Sequence, residues 1–219
     1  KRFPNIKLGG PALANNLPWA RQFLEKMTEG ERAELDFFSW HIYTIHAEKM
    51  LDRAKKVADL LDEFGYGHIE KHLNEWNYIE GFFDEPFRRS VETIIGMKGA
   101  AFSAAFMCEG QNSPVDMLMY YDARPSFYNG LFDFYTLRPL KGYYAFTMFN
   151  DLYRMGMQVK SSSDDDEIYT VCAKDGDGNR AGYGVYFTNR PDAEERLEYE
   201  LSVITSMGFS DYYLIVWDF

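Results

Sequence analysis

Residues 69–78, Ile-Glu-Lys-His-Leu-Asn-Glu-Trp-Asn-Tyr, have the pattern of a short buried strand. The strand ends by presenting the carboxylate of Glu75 among amide and aromatic side chains. In a parallel sheet, side chains at this end of a strand lie where α/β proteins carry their binding and catalytic groups. A lone glutamate at a strand end is more often a surface residue. The meaning of Glu75 therefore depends on the elements around it.

Strand and helix patterns alternate on both sides of this stretch. The predicted strands are 5–8, 36–43, 69–78 and 115–121, and the predicted helices are 18–30, 46–64, 85–108 and 139–155. The first strand is expected to run into a turn at Gly9-Gly10-Pro11. In the second, Phe38, Trp40 and Ile42 share one face, and Ser39, His41 and Tyr43 share the other. Four strand-then-helix units in a row predict parallel strands with right-handed crossovers.

Both open doubly wound sheets and eight-fold barrels are built from such units. No glycine-rich phosphate loop follows the first strand, and polar and aromatic residues cluster where the strands end, which favours the barrel. A complete barrel needs eight units and about 250 residues. The predicted fold class is therefore α/β, with residues 1–156 forming half of a TIM barrel.

The pattern changes after Gly156. Short β segments at 157–160, 167–173 and 182–188 predict a small antiparallel accessory region over 157–190. Residues 175–179, Asp-Gly-Asp-Gly-Asn, indicate a hairpin turn, because the closing glutamate of an EF-hand calcium loop is missing. Residues 191–219 read as a separate helix and strand that begin with a capping box at 192–195.

Composition limits the partners. A net charge of −11 and a pI near 4.8 argue against binding to nucleic acid or to an anionic membrane. The two cysteines have neither disulfide-framework nor metal-ligand spacing, and we predict no metal and no cofactor. We find no apolar run of about 18 residues and no signal peptide. Because the chain starts at Lys1 without Met, we expect that its true N-terminus is missing. The sequence leaves the location of the protein open and favours the cytoplasm over secretion.

Four segments in order resemble a known family. They are Lys7-Leu-Gly-Gly-Pro-Ala12, Phe38-Ser-Trp-His-Ile-Tyr43, Leu73-Asn-Glu-Trp-Asn77 and Tyr120-Tyr-Asp-Ala-Arg-Pro125. Together they resemble the C-terminal half of clan A glycoside hydrolases, most closely family 39, the β-xylosidase and iduronidase type. The resemblance covers residues 1–188 and implies an eight-fold barrel that cleaves O-glycosides with retention of anomeric configuration.

The resemblance also implies roles for the carboxylates. In that clan the acid/base glutamate ends strand four and the nucleophile ends strand seven, so Glu75 would be the nucleophile and the acid/base residue would lie before Lys1. The Asn74-Glu75 pair is also similar to the pair that marks the clan's acid/base residue. We favour the nucleophile because only one further strand-helix unit follows. Lacking its partner carboxyl group, this chain alone is expected to show little or no activity.

The remaining predicted site residues surround Glu75. Tyr43 is the candidate hydrogen-bond donor that keeps the nucleophile ionised. His41 either binds a sugar hydroxyl or is a hydrogen-bonded core histidine, and Trp76 and Tyr121 either stack on the sugar or fill the core. Asn77 is a candidate amide for sugar hydroxyls. Arg124 would hold its loop or a substrate carboxylate, with the loop role favoured.

The tail resembles an unrelated family. Residues 195–219 are similar to a segment of bacterial DNA polymerase III alpha subunits, without the aspartate motifs of a polymerase site. The sequence thus suggests a chimeric chain joined near residues 188–194. Two alternatives to a glycosidase fragment stay open: a non-catalytic carbohydrate-binding module, and a fragment without its own function. In the second case, exposed barrel edges would favour self-association.

Overall fold

Four parallel strands form the central sheet of the computed structural model, which describes residues 5–14 and 16–190. They are β1 (Gly9–Ala14), β2 (Phe37–Thr44), β3 (Glu70–Tyr78) and β4 (Met117–Tyr120). Their order in the sheet is β1-β2-β3-β4, and each neighbouring pair is parallel. The prediction of parallel strands is confirmed.

Helices lie between consecutive strands and after the last one. They are α1 (Leu17–Thr28), α2 (Lys49–Glu63), α3 (Asp84–Ile94), α4 (Met97–Gln111) and α5 (Lys141–Met155). Asn16 caps α1 by accepting a hydrogen bond from the backbone N–H of Trp19 at 3.1 Å, and Pro18 occupies the first turn. Gly156, with φ of 88°, ends α5 in the left-handed conformation.

The first strand differs from its prediction. The expected strand at 5–8 and turn at Gly9-Gly10-Pro11 are wrong, because β1 begins at Gly9 and includes all three residues. Gly9 pairs with Phe37 of β2, and a Cβ atom at Gly9 would overlap the carbonyl oxygen of Phe37. This glycine therefore permits a close approach between two strands, and its lack of a side chain does not mark a turn.

The prediction of a single helix over 85–108 also differs from the structure, which has two helices there, α3 and α4. α3 and α4 meet at an angle of 80° across Ile95 and Gly96. At Gly99, in the first turn of α4, a Cβ atom would overlap the carbonyl oxygens of Thr93 and Ile94, so the small residue allows the second helix to fold back on the first. Within the described residues no single helix has the length and apolarity to span a membrane. The bent pair α3 and α4 meets those criteria together.

One face of the sheet packs against the helices. Phe38, Trp40 and Ile42 are at most 2% exposed, which confirms the predicted alternation along β2. The core also contains Leu24, Met50, Val57, Leu61, Leu73, Trp76, Phe102 and Phe106. Because the apolar side chains of β2 and β3 point to the helices, their alternate residues lie on the opposite, inner face of the sheet.

A second sheet of three antiparallel strands follows α5. It has the order β5 (Met157–Val159), β6 (Ile168–Lys174), β7 (Arg180–Tyr186), as predicted for this region. Asp175 closes the β6–β7 turn by accepting hydrogen bonds from the backbone N–H groups of Asp177 and Asn179, both at 2.9 Å. Phe187 is 4% exposed, with its ring centroid 5.5 Å from that of Phe102.

The chain divides into two compact units, Lys1–Phe187 and Thr188–Phe219. Both sheets belong to the first. The predicted helix and strand over 191–219, including the capping box, lie outside the described residues.

Candidate active site

A register shift between β2 and β3 decides which side chains meet on the inner face. Trp40 pairs with Leu73, but the next residue, His41, pairs with Glu75. Asn74 is thus the additional residue of a β-bulge in β3. Without it, Tyr43 would lie beside Trp76. With it, the inner-face row of β2 lies beside the carboxylate of Glu75.

Glu75 and Tyr43 are joined directly. The Tyr43 hydroxyl donates a hydrogen bond to Glu75 Oε2 at 2.7 Å. The pKa of Tyr43 is raised far above its usual value, first because burial disfavours the phenolate and then because Glu75 accepts this hydrogen bond. Tyr43 therefore remains a neutral donor to the carboxylate through the ordinary pH range.

Aromatic rings surround this pair. The Tyr43 ring centroid lies 5.4 Å from that of Phe82, 6.4 Å from that of Tyr121 and 6.3 Å from that of Tyr128. Burial, with smaller contributions from Tyr121 and Glu75, raises the pKa of Tyr128. Sequence reasoning missed Phe82 and Tyr128. The available signal was their position in the loops that directly follow β3 and β4, where parallel sheets carry their sites.

Asn77 organises one of these loops. Its side chain is 2% exposed, and Nδ2 donates to the carbonyl oxygens of Tyr121 at 2.6 Å and Tyr128 at 2.7 Å. Both amide hydrogens are therefore used within the protein. The predicted substrate contact of Asn77 is withdrawn, because its side chain instead fixes the loop that brings Tyr121 and Tyr128 to Tyr43.

Trp76 is part of the hydrophobic core. Its side chain is 1% exposed, stacks on Phe106 at 4.5 Å between ring centroids, and meets Tyr120 edge-to-face at 5.1 Å. The predicted sugar contact of Trp76 is withdrawn because the ring lies on the helix-facing side of β3. Arg124 donates from Nε to Asp122 Oδ2 at 2.7 Å and is largely exposed, which agrees with the loop role.

Four buried polar atoms on β2 and β3 have no hydrogen-bond partner among the described residues. Nδ1 of His41 and Oδ1 of Asn74 are two of them, and the indole Nε1 atoms of Trp40 and Trp76 are the others. The His41 ring lies 6.3 Å from the Tyr43 ring, in the same inner-face row. No cluster of three or more potential metal ligands occurs in residues 5–14 and 16–190.

Two family profiles match separate parts of the chain. A profile described as glycosyl hydrolase catalytic core matches residues 1–66. A profile described as bacterial DNA polymerase III alpha NTPase domain matches residues 179–219. The second match begins before β7, whereas the first compact unit extends to Phe187. Sequence similarity and chain contacts therefore place the boundary at different residues.

Individual relatives show the same division. The chain is 27% identical over 203 aligned positions to a β-xylosidase from Geobacillus stearothermophilus, covering 77% of this chain and 38% of that protein. It is 45% identical over 60 residues to DNA polymerase III subunit alpha from Bacillus subtilis (strain 168), covering 26% of this chain and 5% of that protein. The chain thus spans well under half the length of each of these curated relatives.

Solved structures with a similar fold are glycosidases. A glucosidase from Croceicoccus marinus matches with a TM-score of 0.67 at 23% identity, covering 84% of this chain and 40% of that one. A family 39 β-xylosidase from Caulobacter crescentus matches with a TM-score of 0.55 at 18% identity, covering 80% and 38%. The resemblance to family 39 glycoside hydrolases is confirmed, as is that of the tail to the polymerase subunit.

Proposed function

We propose that Glu75 is the nucleophile of a retaining glycoside hydrolase site for β-xylosides or related O-glycosides. The observation that carries the proposal is the 2.7 Å hydrogen bond from Tyr43 to Glu75 on the inner face, near the carboxyl end of a parallel sheet. The relatives support the reaction class, since the proteins of similar sequence and fold include a β-xylosidase and a glucosidase. Carbohydrate is accordingly the proposed ligand.

The proposed first step is substitution at the anomeric carbon. Tyr43 holds Oε2, and Oε1 has no hydrogen bond within the described part of the chain, so Oε1 is available to attack. The new Oε1–carbon bond forms as the bond to the leaving group breaks, giving a glycosyl ester that water then hydrolyses. A second carboxyl group about 5–5.5 Å away must protonate a poor leaving group. By the family resemblance, we assign that residue to strand four, before Lys1.

We further propose that residues 1–156 are the C-terminal half of an eight-stranded barrel. The strand order is consecutive, β1-β2-β3-β4, whereas a doubly wound sheet would reverse direction at a switch point. In this sheet β1 and β4 are the outermost strands, and each has one edge on which a further strand could pair. These edges are where an upstream half would add, and they also support the proposal of self-association in its absence.

For substrate contacts we propose His41 and Tyr121. His41 is only partly buried in the inner-face row, and its imidazole can hydrogen-bond a sugar hydroxyl, while the Tyr121 ring lies beside Tyr43. Phe82 is 51% exposed next to the same tyrosine, so it offers an apolar surface to the sugar ring.

The test uses a substrate that needs no general acid. With 2-deoxy-2-fluoro-β-xylosyl fluoride, fluoride leaves without protonation and the fluorinated sugar remains on the nucleophile. We expect mass spectrometry of digested protein to find the added sugar on the peptide that contains Glu75. The Glu75→Gln variant should remain unlabelled, and Glu70→Gln, at the opposite end of the same strand, should be labelled like the parent.

Other results would overturn the proposal. Label on a different carboxylate, or equal labelling of Glu75→Gln, would remove Glu75 from the nucleophile role. Hydrolysis of an ordinary aryl β-xyloside by this chain, lost in Glu75→Gln, would contradict the assignment of the acid to an upstream strand. Saturable sugar binding that Glu75→Gln leaves unchanged, without labelling, would favour a carbohydrate-binding module.

We also propose that the chain joins segments of two unrelated families, since one profile matches residues 1–66 and another matches 179–219. Reading the coding sequence upstream of Lys1 tests both this and the barrel. A strand ending in a Trp-Asn-Glu-Pro-like sequence is expected there. An upstream sequence of polymerase type would contradict the proposal.

A further inference from the structure

A groove of about 570 Å³ lies away from Glu75, between α4, α5 and the second sheet. Its lining includes Gln111 at the end of α4, Tyr153 and Arg154 at the end of α5, and Gln158 of β5. Helices in strand-helix units run opposite to the strands, so their carboxyl ends lie at the amino edge of the parallel sheet. Glu75 lies toward the carboxyl edge, and the two places are therefore distinct.

The floor of the groove is apolar and closed. Leu152, Val171 and Ala173 are at most 8% exposed and line it. Above them, Tyr153 is 77% exposed, and its ring contacts no other aromatic ring within the described part of the chain. An exposed aromatic ring beside an apolar floor can stack on the weakly polar C–H face of a sugar.

The polar groups of the rim match hydroxyl groups. The side-chain amide of Gln111 can donate and accept, and Gln158, whose Nε2 donates to Asn112 Oδ1 at 3.5 Å, keeps its carbonyl oxygen as an acceptor. Arg154 forms no ion pair with any described residue. The lining contains no carboxylate. The end of α5 adds acceptors, since a helix ends with unsatisfied C=O groups and the Gly156 N–H bonds only that of Tyr153. At the end of α4, the carbonyl oxygens of Cys108, Glu109 and Gly110 already accept hydrogen bonds from Asn112 and Ser113.

The partial charges at these helix ends affect which ligand charge the groove favours. Two helix carboxyl ends place partial negative charge at the groove and offset the single cation of Arg154. The volume falls within the range of small-molecule sites. We propose that this groove is a second carbohydrate-binding site, specific for neutral oligosaccharides, with Tyr153 as its stacking platform. The proposal uses the proposed function only in the choice of a xylo-oligosaccharide as probe.

The experiment separates this groove from the Glu75 site. The full chain is labelled with ¹³C at the methionine methyl groups and titrated with xylotetraose. Met157 lines the groove and is 55% exposed, while Met97, 44% exposed, begins α4 at the far end from the groove. We expect a saturable shift of the Met157 methyl resonance with a dissociation constant of about 1 mM or below, and none at Met97.

Matched variants identify the platform. Tyr153→Ala should weaken the binding seen at Met157 by about tenfold. Tyr135→Ala, which removes a tyrosine that is 88% exposed in the β4–α5 connection, should leave it unchanged. Glu75→Gln should also leave it unchanged, so that failure of the Glu75 labelling test and failure here can be told apart.

Three outcomes would overturn the inference. One is the absence of a saturable shift at Met157, and the second is equal binding by Tyr153→Ala. The third is tighter binding of tetragalacturonate than of xylotetraose, which would replace the neutral ligand class by an anionic one.

Discussion

The two faces of β3 carry neighbouring residues with different environments. On the helix side, Trp76 is enclosed by Phe106 and Tyr120 and is 1% exposed. On the inner side, Glu75 has one oxygen held by Tyr43, while His41 Nδ1 has no partner among the described residues. The helix-facing side is thus a closely packed core, whereas on the inner side a carboxylate lies within a row of polar and aromatic side chains. Neighbouring positions in one strand therefore serve stability and site chemistry separately.

Of the substitutions that test this division, Trp76→Ala should have the largest effect on stability. Because the ring fills a packed position, its removal should lower the free energy of unfolding by about 3–5 kcal/mol. Urea denaturation followed by circular dichroism measures the change. Trp19→Ala, at a position that is 63% exposed on α1, should stay within about 0.5 kcal/mol of the parent. Comparable effects of the two substitutions would show that the helix side of β3 is not the core.

Asn77→Ala should have the next largest effect. It leaves the carbonyl oxygens of Tyr121 and Tyr128 without their shared donor, which should cost about 1–3 kcal/mol. Hydrogen exchange should accelerate in residues 121–128 in particular. Asn112→Ala serves as the control, because Asn112 lies outside the buried set, at the end of α4. A loss of sugar binding in Asn77→Ala with unchanged exchange would restore the direct substrate role that the geometry argues against.

The alternation of side chains along β2 was predictable from sequence, but the residues of β3 that lie beside them were not. A period of two along Phe38 to Tyr43 shows which residues share a face. It does not reveal how the neighbouring strand is shifted, and the bulge at Asn74 depends on pairing between residues distant in sequence. Trp76 therefore could not be assigned to the core from its own strand, whereas Tyr43 could be proposed as the partner of Glu75 because it lies on the neighbouring strand and its hydroxyl can hold a carboxylate ionised.

Glycine signals misled in two places for a related reason. Gly9 suggested a turn, yet it lies within β1 where the backbone of β2 comes close. The predicted helix over 85–108 ran through Gly99 without a break, yet Gly99 allows α4 to fold back on α3. In both cases, the structure shows that a Cβ atom at the glycine would overlap a neighbouring carbonyl oxygen. Which group occupies that space depends on tertiary packing, which a single sequence does not show.

A smaller effect is expected from Tyr43 on the inner face, in the pH dependence of the free energy of unfolding. Its pKa is raised in the folded protein above the ordinary value near 10, so the folded state keeps a proton that the unfolded state loses. The resulting stabilisation is present below about pH 10 and declines as pH rises above it, by at most about 1.4 kcal/mol per pH unit and by less for a half-buried group. In Tyr43→Phe, the decline between about pH 10 and 11 should be shallower, as measured by urea denaturation at each pH.

A suitable control for this profile is Tyr144→Phe, because Tyr144 is 56% exposed on α5. That substitution should reproduce the parental decline. Identical profiles for Tyr43→Phe and the parent would contradict the raised pKa of Tyr43, which burial and then the hydrogen bond to Glu75 cause.

Arg124→Gln should have the smallest effect, and it tests whether the loop after β4 belongs to the inner face chemically. The guanidinium is largely exposed and pairs with Asp122, so its loss should not change the urea midpoint measurably. Asp122 would still accept the hydrogen bond from Ser126 at 2.9 Å, and Asn77 would still hold the loop at two carbonyl groups. Labelling of Glu75 by the fluorinated xyloside should therefore continue at the parental rate. If Arg124→Gln instead abolished binding of a uronic acid while stability stayed constant, the arginine would be a substrate contact, and the boundary between scaffold and site would move to include this loop.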